Sequence, residues 1–130
     1  MDDEIYLGDD GIVYDISHQD QTETVAAQGI VRMRAELEKA TPPLLLVDLN
    51  EAGNVSREAR QLFREFTLEL TNATNERPVN ICFAGGNPFI RTVVRFIVMA
   101  AGRRELVGFE DTRETAAAWL LRRGRFETGS

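Results

Sequence analysis

The residues of this chain best suited to chemistry lie in one stretch, PPLLLVDLNEAGNVSREARQLF at positions 42–63. Asp48 interrupts an apolar run near its end, and Ser56 stands where an amphipathic pattern begins, with Arg57 and Arg60 close behind. A hydroxyl at a helix N-terminus beside two guanidinium groups is suited to carry phosphate, because the helix dipole and the arginines stabilise a dianion. The same serine also serves as a plain N-cap, a position that strongly prefers it. Asp48 either faces a ligand or is satisfied by loop N–H groups, since an unpaired interior charge is costly. Asn50 and Asn54 fall in the turn between them and complete a candidate switch loop with Asp48 and Ser56.

Other reactive types are sparse. The one histidine, His18, lies in a polar loop with no carboxylate or cysteine at metal-ligand spacing, and nothing links it to a serine. No carboxylate pair sits in an apolar setting, so an enzyme working through Asp48 and Ser56 lacks a base, and the chain reads as non-catalytic. The single cysteine, Cys82, lies between Ile81 and Phe83 and reads as a buried inert thiol. It excludes an internal disulfide and a Cys-rich metal site. Gly85-Gly86-Asn87-Pro88 offers amides to an anion with Arg91 behind them, or simply makes a tight strand-to-helix turn. It is neither a P-loop nor a dinucleotide fingerprint. No metal and no cofactor are expected.

These residues need a scaffold, and the periodicities supply one. Residues 44–49 are continuously apolar but for Asp48, as in a strand covered on both faces. Ser56 opens a helix to about residue 73, with Ala59, Leu62, Phe63, Phe66, Leu70 and Ala73 on one face. Upstream, 4–7 and 12–16 read as strands joined by GDDG, a hairpin turn. Thr22 or Thr24 caps a helix reaching about residue 39, with Gly29 inside it where a neighbouring element is expected to pack closely. Pro42 and Pro43 end that helix. Downstream, 79–84 is a strand, 88–101 a helix closed by Gly102, and 106–109 a last strand. Asp111-Thr112-Arg113-Glu114 then reads as a capping box for a helix to about residue 123. The tail 124–130 lacks periodicity and is expected to fray. The expectation is an α/β fold in the order ββαβαβαβα: one domain over 1–130 with its core in about 4–123, and a mostly parallel sheet with an antiparallel edge hairpin flanked by helices.

The totals fit a soluble domain: 130 residues, 43% hydrophobic and 28% charged. A formal net charge of -6 argues against a nucleic-acid binder. The acidic N-terminus MDDE does not read as a signal peptide, and no apolar run is long enough to span a membrane. A cytoplasmic home with a reduced cysteine is expected.

In element order the chain resembles the STAS domain, the fold of bacterial anti-sigma-factor antagonists, and more closely its SpoIIAA-like branch, also described as STAS/SEC14 or CRAL-TRIO-like. The resemblance rests on VDLNEAGNVSREAR, FAGGNPFIRTVVRF and FEDTRETAAAWLL and covers nearly the whole chain, roughly residues 5–121. It implies a small non-enzymatic signalling domain that contacts a protein partner, often itself as a homodimer, or binds an apolar, lipid-like small molecule. Antagonist STAS domains carry a phosphorylated serine at the N-terminus of the helix after the central strand. Ser56 matches it by position, although its surroundings are Asn54-Val55-Ser56-Arg57 rather than an Asp-Ser-Ser-Gly type pattern.

The helix at 88–101 is too apolar for an ordinary surface helix. Ile90, Val93, Val94 and Ile97 fill one face, and Phe89, Phe96 and Met99 add apolar surface beyond it. It reads as deeply buried, as a dimer or partner interface, or as the wall of an apolar pocket with Arg91 or Arg95 at its mouth. Phe89, Arg91, Val93, Arg95, Phe96 and Met99 are therefore the candidate ligand or partner surface.

Overall fold

In the computed structural model, which describes residues 2–127, the chain begins as an antiparallel hairpin. Strands β1 (Glu4–Leu7) and β2 (Val13–Ile16) pair with Tyr6 opposite Tyr14, and the two rings stack with centroids 5.3 Å apart. Gly11 supplies the turn with a φ of 87°, a conformation that favours glycine. Asp10 braces it, accepting from the Ile12 N–H at 3.0 Å and from the Tyr14 hydroxyl at 2.6 Å.

Helix α1 (Glu23–Lys39) follows, capped by Thr22, whose hydroxyl accepts from the Val25 N–H at 3.2 Å. Then come β3 (Leu44–Asp48), α2 (Arg57–Thr71), β4 (Asn80–Ala84), α3 (Pro88–Val98), a 3-10 turn (Arg104–Leu106), β5 (Val107–Glu110) and α4 (Arg113–Glu127). The five strands form one mixed sheet in the order β1-β2-β3-β4-β5, antiparallel between β1 and β2 and parallel elsewhere. Parallel strands added always in one direction, through crossovers of one hand, place every crossover helix on the same face. Accordingly α1, α2 and α3 cover one face and α4 covers the other.

Strand alternation divides the core between these faces. Val13, Leu45, Ile81 and Phe83 point toward α1–α3 and pack with Ile30, Met33, Phe66, Leu70, Ile90 and Val94. Tyr14, Ile16, Leu44, Leu46, Cys82 and Ala84 point the other way and pack with Ala116 and Leu120 of α4. Trp119 lies on Gly108, where a Cβ would come within 2.7 Å of the indole.

Several expected boundaries move. Helix α3 stops at Val98, because Ala100 and Ala101 donate to the carbonyls three residues back and tighten the chain into a turn. Gly102 then docks on the end of α2, its N–H donating to the Thr71 hydroxyl at 3.1 Å. Ala73 lies beyond α2 and is exposed. The cap of α4 shifts by one residue: Thr112 and Thr115 cap each other reciprocally, with Thr115 N–H to Thr112 Oγ1 at 3.1 Å, and Glu114 takes no part. The expected frayed tail is corrected for 124–127, which continue α4 as far as Glu127, with Gly124 packed against Leu44; residues 128–130 lie outside the described residues.

Gly29 is a further correction. A Cβ there would meet only the Ile5 side chain, at 3.6 Å, an ordinary contact. No close packing calls for glycine, so Gly29→Ala is expected to stabilise the protein by about 0.5–1 kcal/mol through better helix propensity, read as a higher urea midpoint with an unchanged m-value.

Candidate functional site

Asp48 ends β3 on the α4 side of the sheet and is 4% exposed. Its Oδ1 accepts from the backbone N–H and side-chain amide of Asn50 at 3.0 and 2.9 Å, and its Oδ2 accepts from Arg113 Nε at 2.7 Å. Burial pushes the carboxyl up, but the Asn50 N–H groups and the Arg113 guanidinium outweigh it and hold Asp48 below the usual carboxylate range. Every oxygen of this group is engaged, so Asp48 fastens the β3–α2 loop to α4.

Ser56 caps α2, its Oγ accepting from the Ala59 N–H at 3.1 Å. The loop before it is stitched to the segment after β2: Gln21 N–H donates to the Asn54 carbonyl at 2.7 Å, Ser56 N–H to the Gln21 carbonyl at 2.9 Å, and Asn54 N–H to Asp20 Oδ1 at 2.8 Å. Gly53 sits so close to Asp20 that a Cβ would collide with it. Asp48, Asn50, Asn54 and Ser56 thus share one loop, but Asp48 and Ser56 do not converge on a common point. Of the arginines near Ser56, Arg60 donates to the Val55 carbonyl at 3.1 Å and Arg57 is exposed.

The apolar helix α3 uses one face for the core. Ile90, Val93, Val94 and Ile97 are buried, while Phe89, Phe96 and Met99 are 55, 42 and 65% exposed. Asn87 caps the helix through its Oδ1, 2.8 Å from the Ile90 N–H, so GGNP makes a strand-to-helix turn, with Gly85 and Gly86 at φ of 73° and 95°. On the α2 flank, Arg60 lies over the Phe89 ring at 5.8 Å and Arg64 over Phe96 at 5.0 Å. On the opposite flank, Arg91 and Arg95 border a surface depression with Phe109, where Arg91 reaches Asp111 at 3.3 Å. The six candidate residues therefore separate: Val93 faces inward, Phe89 and Phe96 flank α2, Arg91 and Arg95 flank β5, and Met99 stands exposed at the C-cap of the helix.

Beneath α2 and α3 lies an apolar cavity of about 80 Å³. Val93, Val94 and Ile97 wall it from α3, Phe63 and Phe66 from α2, and Leu49, Ala52 and Val55 from the β3–α2 loop. Neither Arg91 nor Arg95 lines it; its polar end is Asp15, Ser17 and Gln21. Asp15 shares the helix-covered face with Val13 and, in register, with Val47. It is 9% exposed, and burial together with the Asp3 carboxylate pushes its pKa up to about 7 against the weaker pull of Arg32. Its available signal in the sequence was a single charge inside the strand IVYDI.

His18 is not isolated as expected. Its Nε2 lies 2.5 Å from Glu4 and its Nδ1 3.4 Å from Glu51, carboxylates brought in from distant segments. They approach opposite sides of the ring, and no cluster of His, Cys, Asp and Glu among the described residues could hold a metal ion. Cys82 is buried, which pushes its thiol up to about 12. No helix of the described residues is long and apolar enough to cross a membrane.

Two measurements follow from this geometry. Ser56→Ala removes the cap of α2 and is expected to cost about 1 kcal/mol, whereas Ser56→Asp keeps a capping oxygen and stays near the native value; urea denaturation separates the two. Asp15 has a folded pKa of about 7, above the ~3.9 of an unfolded aspartate. Stability is therefore lost as pH rises from about 4 through about 7 and is flat above. Asp15→Asn removes that loss, so the variant should be more stable than the native chain near pH 8, and most of that difference should be gone near pH 4. Equal differences at both pH values would contradict the assignment. No family model matches the chain, and no curated protein or solved structure matches it significantly.

Proposed function

We propose that this chain is a non-catalytic interaction domain of STAS-like type, ordered ββαβαβαβα, that works in bacterial cytoplasmic signalling by docking a protein partner through α3. The observation that carries this is the exposed flank of the helix. Phe89, Phe96 and Met99 stand in solvent beside Arg60 and Arg64, which stack over two of the rings. Aromatic residues, methionine and arginine are the types enriched at protein interfaces, and rigid rings beside guanidinium groups lose little entropy when covered. The charge pattern narrows the partner. In a chain of net charge -6, Arg60 and Arg64 place two positive charges beside those rings. An acidic segment bearing apolar side chains complements that flank.

Carriage of a lipid-like molecule is the less favoured reading. The cavity beside α3 is about 80 Å³, against the ~300–1,000 Å³ of pockets that enclose drug-sized ligands. Ser56 acts in this proposal as the cap of α2.

The proposal is tested with the paired variant Phe96→Asp/Met99→Asp and a control, Val31→Asp, which places one such charge on an exposed apolar residue of α1. Partners retained by the native protein and by Val31→Asp, but lost at least tenfold from the α3 variant, would support docking on this flank. A concentration-dependent homodimer that dissociates only in the α3 variant would assign the flank to a second copy. Equal retention by all three, with a monomer throughout, would sink the proposal.

A further inference from the structure

The docking flank leaves the cavity under α2 and α3 without a role, and that cavity contains an anomaly. Its wall is almost wholly apolar, yet Asp15 lines it, nine-tenths buried. Among the described residues no hydrogen bond or ion pair reaches the Asp15 carboxyl; only the more distant charges of Asp3 and Arg32 act on it. A carboxyl set this deep with no protein partner is costly to ionise, and a cationic donor entering the cavity would offset that cost.

The neighbouring groups do not meet the need. Gln21 spends its side-chain amide on Asp3 Oδ2 at 2.7 Å and on Ser17 Oγ at 3.5 Å. The Arg32 guanidinium is directed to the backbone carbonyls of Asp3 and Ile5, at 3.4 Å each. The surroundings are acidic: Asp3, Glu4, Asp20 and Glu51 all belong to the segments joined at this edge, through Gln21, His18 and Asn54. A field of that sign draws cations inward.

We propose that this cavity is a binding site for a small aliphatic amine, whose ammonium group pairs with Asp15 beside Ser17 while its short chain lies against Phe66 and Val94. Size limits the occupant. The cavity, at about 80 Å³, is near half the ~150 Å³ that takes a benzene ring, so the ligand has only a handful of heavy atoms. Charge sets its class: an ammonium supplies the N–H donors that the carboxylate lacks, and a carboxylic acid of the same size would add a second anion. Leu49, Ala52 and Val55 wall the cavity from the β3–α2 loop, so occupancy also bears on the order of that loop.

Propylammonium chloride titrated into the labelled full chain and followed by NMR tests the site, with 1-propanol as the uncharged probe of equal size. Saturable shifts at Ser17, Gln21, Met33 and Val94 are expected with propylammonium, with a dissociation constant of roughly millimolar order. The alcohol should bind at least tenfold more weakly, and Asp15→Asn should weaken propylammonium by a similar factor while keeping native dispersion of the spectrum. The comparison of the two probes on the native chain stands even if that variant does not fold. Equal binding of alcohol and ammonium, shifts confined to surface carboxylates, or no saturable shift would each overturn the proposal.

Discussion

The handedness of the crossovers governs this molecule. Strands β2 to β5 are laid down in one direction, so α1, α2 and α3 are forced onto one face of the sheet and only α4 is left for the other. Three helices must share a face that also receives the side chains of β2, β3 and β4. The cavity lies where α2 and α3 meet that face. Helix α3 is the last of the layer: Arg91 and Arg95 border its outer side toward β5, and Phe89 and Phe96 stay exposed on the side toward α2.

Two aspartates on adjacent strands show how far a pleat decides chemistry. Asp48 points toward α4, where Arg113 and the Asn50 N–H groups hold it ionised. Asp15 points toward α2 and α3, where apolar side chains and Asp3 hold its pKa up. Their contributions to stability run in opposite senses with pH. Asp48 stabilises once it is ionised and loses that contribution in acid, whereas Asp15 costs most where it should be ionised. One is a structural clasp and the other an unmet demand.

Loop order joins the two faces. The β3–α2 loop is tied to α4 by Asp48 and to the segment after β2 by Gln21, Asn54 and Ser56, while its apolar residues wall the cavity. The charged and apolar sides of the loop therefore cannot move independently.

Local patterns in the sequence determined much of this. Apolar periodicity marked the strands and the face of α2; Ser56 and Thr22 marked helix starts; GDDG marked the hairpin. These signals depend on neighbours within a few residues, where backbone sterics and capping act. Tertiary structure alone decided the rest. The partner of Asp48 is Arg113, and those of His18 are Glu4 and Glu51, each pair far apart in the chain. The role of Gly29, the flank chosen by Phe96 and the isolation of Asp15 all depend on which helix lies across which strand. A strand buried on both faces carries no alternation to say which cover each residue meets, so its one charge could be seen in the sequence, but its surroundings could not.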